Sequence, residues 1–154
     1  MLKYLGFIKK QVLETFRDVS ALGSFLFLCV LALFFLFIDY NVSLKIIVGL
    51  VIIEFVGALI KVVFHRTRPN NQRFSNIFEK IDSGSFPSIH AARVMLVALV
   101  VFHFFSSPIA LLLLALLVIL VGVSRIVLDK HYFSDVFAGF VFGLLVWYLV
   151  RVLF

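Results

Sequence analysis

Two histidines, His90 and His131, stand among polar residues in an otherwise strongly apolar chain, and each has neighbours that could make it reactive. His131 is followed four residues later by Asp135, a spacing that lets a carboxylate reach the imidazole where the turn is helical. A carboxylate bonded to one ring nitrogen fixes the tautomer and leaves the other nitrogen free to attack. The plainer alternative is a helix cap by Asp135 beside a solvated histidine. His90 closes the run Pro87-Ser88-Ile89-His90, in which Pro and Ser open a helix and leave its first amides and positive dipole end facing the neighbourhood. Such a start attracts an anion, and the imidazole beside it can move a proton near neutral pH. Read alone, Ser88 is a simple N-cap and His90 an interfacial histidine.

Cations accompany both histidines. Lys61 stands at the end of one apolar run with Arg68 and Pro69 just beyond it, and Ser124-Arg125 ends another. Snorkelling of basic side chains to the membrane surface would also account for any one of them. Three fixed cations and a helix start suit a group carrying roughly −1.5 to −2 charge, as a phosphate does. Ionisable groups beside membrane spans are costly, so they are functional candidates by default.

The elements that must hold these residues are membrane helices. The chain is 64% hydrophobic, with 14% charged residues, and its mean hydropathy is +1.19, so the bilayer is its solvent. Runs such as 21–38 and 108–124 approach the roughly 20 apolar residues that cross a hydrocarbon core. They lack the alternation of barrel strands, which leaves helices as the way to satisfy the backbone. The expected architecture is an all-α integral membrane protein, a bundle of about five transmembrane helices with an N-terminal amphipathic interfacial helix. One domain is expected over 1–154, with 1–20 interfacial and 21–154 forming the bundle. Leu5, Ile8, Val12, Phe16 and Val19 make the apolar stripe of the first helix, opposite Lys10, Glu14 and Arg17.

Spans are expected at about 21–40, 42–64, 88–105, from 108 onward, and 135–154. A polar loop follows the second span, with Phe74, Ile77, Phe78 and Ile81 spaced as a short interfacial helix. Alternating directions bring every candidate above to one membrane face. The net charge of +6 lies beside hydrophobic segments without a basic and aromatic surface, which argues for anionic head groups as partners and against nucleic acid. The single cysteine, Cys29, lies in an apolar run and allows no intramolecular disulfide.

Taken together, Lys61 to Pro69, Pro87 to His90 and Ser124 to Asp135 resemble the three ordered motifs of the type 2 phosphatidic acid phosphatase superfamily, K-x6-R-P, P-S-G-H and S-R-x5-H-x3-D. The resemblance covers roughly the C-terminal two-thirds of the chain. It implies a membrane-bound, metal-independent lipid phosphatase with no cofactor. His131 would form a phosphohistidine, Asp135 orient it, and His90 protonate the leaving oxygen, while Lys61, Arg68, Ser88, Ile89 and Arg125 hold the phosphate. Ile89 stands where the family has glycine, so its side chain could crowd the phosphate. The family fold has six membrane helices, and this chain looks shortened. The implied substrate is a phosphorylated lipid: a polyprenyl diphosphate, phosphatidic acid, phosphatidylglycerol phosphate or a lipid A phosphate.

Rival readings are a lipid phosphotransferase using the same intermediate, a metal-dependent hydrolase built on His90, His131, Asp135 and Glu54, and a non-catalytic lipid-binding or transport bundle. Glu54, on one helical face with Ala58 and Lys61, is expected to point inward and pair structurally. Gly139 and Gly143 form a small-xxx-small pattern, open to internal packing or to a homodimer. Arg66, Arg73, Lys80, Arg93 and Lys130 are expected to ring the active face, and His103 to lie at the opposite end. The protein is expected to be multi-pass in the cell membrane. The basic excess on the active side places that face in the cytoplasm by the positive-inside rule, although many members of the family face outward.

Overall fold

The computed structural model describes residues 2–70 and 84–154, with side chains from residue 6 onward. The expected short helix around Phe74 to Ile81 lies outside the described residues, as do Arg73 and Lys80. The amphipathic N-terminal segment forms α1 (Leu2–Ala21) and continues through a turn into α2 (Phe25–Leu36). Ser24 caps α2 by accepting the Phe27 amide at 3.3 Å. Asp39 does the same for α3 (Tyr40–Val63), accepting the Val42 amide at 3.1 Å. The remaining helices are α4 (Ile89–Phe105), α5 (Pro108–Val127) and α6 (Phe133–Leu153).

Helices α3, α5 and α6 are each long and apolar enough to cross a membrane alone. The first expected span, 21–40, differs from the structure. With 12 residues α2 is too short to cross alone, and it joins α1 at a 44° bend, so that the pair together meets the length and hydropathy of one broken span. Helix α1 packs on α5 through its C-terminal end, where Val19 is half-buried against the cluster around Val121, while Ile8 and Val12 of its apolar stripe stay exposed. The exposed part of that stripe keeps the apolar face that an interfacial helix presents to the bilayer.

At 17 residues α4 is the shortest of the helices after α2, and it occupies the centre, packed on α3, α5 and α6. Its residues Ala91, Ala92, Val94 and Leu96 are buried, whereas the outer faces of α2, α3, α5 and α6 present leucine, valine and phenylalanine to the lipid. The α4–α6 contact depends on Gly139 and Gly143. A Cβ at Gly139 would run into the Ser88 carbonyl and Ala91, and one at Gly143 into the Ala92 carbonyl and Met95. Both glycines are buried inside the chain. The small-residue pattern at Gly139 and Gly143 thus serves close approach between neighbouring helices of one chain.

Candidate active site

The chain returns to one membrane face at the end of α3, the start of α4, the end of α5 and the start of α6, and these ends enclose a cavity of about 350 Å³. Lys61, Arg68, Ile89, His90, Arg125 and His131 line it, together with Glu54, Ala58, Arg93 and Lys130. Six of the eight residues expected at the site therefore face one cavity. The other two, Ser88 and Asp135, are fully buried beside it.

The turn that carries His131 is built by α5. The Arg125 carbonyl accepts the amides of Lys130 at 3.1 Å and His131 at 3.3 Å, and Asp129 takes a left-handed conformation with φ of 52° to make the reversal. This winding brings the histidine back beside Arg125. Arg125 itself donates to Ser20 Oγ at 2.7 Å, so the end of α1 steadies the guanidinium.

His131 is 97% removed from solvent, and its Nδ1 lies 2.7 Å from the backbone carbonyl of Ser85. A carbonyl only accepts, so Nδ1 carries the proton and Nε2 keeps its lone pair in the neutral ring. Burial and the nearby Arg125 push its pKa down to about 3, against the smaller opposing effect of the Ser85 hydrogen bond. At neutral pH the ring is an uncharged nucleophile or base. Asp135 does not make the hydrogen bond that its spacing suggests, because its Oδ2 stands 4.0 Å from His131 Nδ1. Its carboxylate instead accepts the Tyr132 amide at 2.9 Å and Arg66 Nη1 at 2.7 Å. It closes the first turn of α6, where a negative charge is favoured, and remains near enough to oppose positive charge on the imidazole.

Arg66 is an organising residue that spacing did not single out. Its guanidinium also donates to Ser134 Oγ at 2.8 Å and lies 4.3 Å from the Tyr132 ring centre, while its carbonyl accepts the Ser85 amide at 2.8 Å. Arg66, three residues beyond the end of α3, thus braces both the base of α6 and the carbonyl that sets the His131 tautomer. Ser88 occupies the N-cap position of α4 without capping it, and its buried hydroxyl has no hydrogen-bond partner among the described residues. Its amide is anchored to the Asp135 carbonyl at 2.9 Å. The Ile89 side chain reaches toward α3, where the missing Cβ of Gly57 leaves room for its tip. The side chain that replaces glycine in the motif is therefore accommodated by a glycine on the facing helix.

Electrostatically the cavity is cationic. Lys61 is 5% exposed, and the Lys130 ammonium is held below its ordinary range by burial and by Arg68, Arg125 and Arg17. A cluster of cations of this kind is chemically suited to receive an anionic group.

This is a multi-pass α-helical membrane protein with a cavity at one face lined by cations and two histidines. Residues 42–154 match the model of the PAP2 superfamily, and the chain belongs to that superfamily. It is similar to phosphatidylglycerophosphatase B of Bacillus subtilis (strain 168), at 29% identity over 114 residues. That match covers 62% of this chain and 56% of the relative, so it spans little more than half the relative's length. The fold resembles the crystal structure of the PAP2-type phosphatidylglycerolphosphate phosphatase of Bacillus subtilis, with a TM-score of 0.77 at 22% identity over 93% of this chain and 76% of that one. It also resembles LpxE of Aquifex aeolicus, with a TM-score of 0.79 at 23% identity over 92% of this chain and 86% of that one.

Proposed function

We propose that this protein is a metal-independent lipid phosphatase that transfers a phosphoryl group from a lipid to His131 and then to water. The observation that carries the reading is the Ser85 carbonyl at 2.7 Å from His131 Nδ1, which leaves Nε2 as the nucleophile in a cationic pocket. Nε2 attacks phosphorus as the bond to the lipid oxygen breaks. His90, which lines the same cavity, passes a proton to that oxygen and then accepts one from the attacking water. Lys61, Arg68 and Arg125 take up the charge on the phosphoryl oxygens, with the amides at the start of α4, including that of Ile89, and the Ser88 hydroxyl as further donors. When nitrogen bonds to phosphorus the ring becomes cationic, and the Ser85 carbonyl and the nearby Asp135 carboxylate oppose that charge. Relatives named for phosphatidylglycerol phosphate hydrolysis support a lipid substrate.

Phosphate release by the purified protein in detergent, with chelator present, tests this over a panel of lipid mono- and diphosphates. Release that disappears in His131→Ala is expected. Equal release by the variant would remove His131 from the mechanism, and phosphate appearing on an added alcohol instead of in solution would favour a phosphotransferase. For orientation, Lys9, Lys10, Arg17 and Lys130 on the site's side against Lys45 and Arg151 opposite favour a cytoplasmic active face. A cysteine at the exposed Asn70, in a Cys29→Ser background, should then resist membrane-impermeant reagents in intact cells; its labelling would place the site outside.

A further inference from the structure

The turn between α1 and α2 lies outside residues 42–154, which match the superfamily, yet it reaches two residues that line the cavity, His90 and Arg125. Hydrogen bonds from the Leu22, Gly23 and Ser24 amides to the Val19, Ser20 and Ala21 carbonyls, at 3.2, 3.1 and 2.9 Å, close it tightly. A Cβ at Gly23 would come within 3.0 Å of the Val121 side chain and 3.4 Å of the His90 carbonyl. Glycine at this position therefore lets the turn press against α5 and the start of α4 together. Three residues earlier, Ser20 is 5% exposed, and its Oγ accepts Arg125 Nη1 at 2.7 Å. The hydroxyl is thus fixed at both ends: its backbone belongs to a closed turn wedged between two helices, and its side chain meets a cation of the cavity.

The chemistry of this partner matters. Arg66 and Arg93 are joined to carboxylates, Asp135 and Glu54. What α1 offers Arg125 is a hydroxyl, which directs a guanidinium without adding a negative charge that would compete with an anion in the cavity. A guanidinium is planar, so an acceptor at one terminal nitrogen sets the plane in which the other nitrogens donate. An arginine side chain has many rotamers, and one that is already ordered does not lose that freedom again when an anion arrives. Holding a charged group in place through a neutral, buried contact is how a binding site is made ready without weakening it.

We propose that Ser20 is a positioning residue of the active site: its hydroxyl holds the Arg125 guanidinium in the orientation that meets the phosphoryl oxygens. The turn between α1 and α2 is then part of the site, and the N-terminal helix contributes to the reaction as well as to the membrane anchorage of the chain. The assignment rests on the lipid phosphatase reading and deepens it. Ser20 acts through Arg125 and touches no substrate, which separates its effects from those of packing alone. Loss of packing lowers the amount of folded protein, whereas loss of orientation weakens the grip of the folded protein on an anion.

The test uses the whole protein in detergent and measures phosphate release from phosphatidic acid together with its inhibition by added inorganic phosphate. Ser20→Ala should lower kcat/KM by roughly tenfold to a hundredfold, the range for losing a hydrogen bond to a charged group. It should also raise the inhibition constant of inorganic phosphate by at least about threefold. That constant does not depend on how much of the enzyme is folded, so a purely structural defect would leave it unchanged. Ser20→Thr, which keeps the hydroxyl, should recover most of both losses. In an Arg125→Ala background, Ser20→Ala should change kcat/KM by less than about twofold, because the group it acts through is gone. An inhibition constant equal to that of wild type in Ser20→Ala, or an undiminished further loss in the double variant, would overturn the assignment. Absence of release by wild type from every lipid tried would overturn the lipid phosphatase reading instead. Inorganic phosphate should even then raise the Tm of wild type more than that of Ser20→Ala, and an equal rise would overturn the role of Ser20 by itself.

Discussion

The two ends of the bundle carry the same kinds of side chain and arrange them differently. Opposite the candidate active site lies a cavity of about 300 Å³ whose lining includes Asp39, Lys45, His103 and Arg151, again a histidine, cations and a carboxylate. There His103 and Arg151 are exposed, Arg151 rests 5.3 Å from the Trp147 ring, and Asp39 is occupied with capping α3. At the active end, Lys61, His131 and Asp135 are 5%, 3% and 0% exposed. Residue type alone therefore does not separate the ends. They differ in desolvation and in convergence: at one end four helix ends and their loops press ionisable groups together away from water, while at the other each group meets solvent on its own.

The largest effect should come from exchanging histidines between this comparison. His131→Ala should reduce phosphate release by about three orders of magnitude or more, whereas His103→Ala should stay within about twofold. A comparable loss at both positions would erase the distinction. A smaller but sizeable effect is expected at the brace beneath His131. Asp135→Asn should lower kcat by roughly tenfold to a thousandfold, less than for a directly bonded orienting carboxylate, because the 4.0 Å separation leaves Ser85 to fix the tautomer. A loss as large as that of His131→Ala would show that Asp135 bonds the ring during turnover.

Stability should divide the ends as well. The pKa of His131 is depressed from 6.5 to about 3, so the unfolded state binds its proton first as pH falls, and the folded state loses stability between about pH 6.5 and about 3. From pH 7 to 5 this amounts to about 2 kcal/mol. Thermal unfolding of His131→Asn should therefore fall less steeply over that range than the wild type, and identical slopes would contradict the desolvated histidine. Gly139→Val should cost about 1–3 kcal/mol by overpacking α4 against α6, read as a lower Tm, with no change in apparent mass of the wild-type or variant particle. The least effect is expected from Lys45→Ala with Arg151→Ala, which should leave kcat/KM within about twofold.

How much of this was legible in the sequence follows from the same contrast. Lys61, Arg68, His90, Arg125 and His131 stood out because an apolar chain has few other charges, and the spacing within each motif is local. The start of α4 at Ser88 was legible for the same reason. The Ser85 carbonyl was not, because every residue has one and its contact spans 46 positions. Arg66 was visible only as a surface cation, since its bond to Asp135 spans 69 positions. The bend between α1 and α2 was obscured because it is set by tertiary packing of the C-terminal end of α1 on α5, which no local period reveals. Gly139 and Gly143 read equally well as a contact within the chain or between chains, and the facing Ser88 and Ala92 carbonyls show the contact within the chain.

The most direct test of the account is to trap the intermediate. The protein is mixed with a lipid carrying a labelled terminal phosphate, quenched in alkali within a turnover, and digested for mass spectrometry. The account predicts an acid-labile, alkali-stable phosphate on the peptide containing His131, absent from His131→Ala. Turnover with no label on the protein, or label on His90 instead, would contradict it.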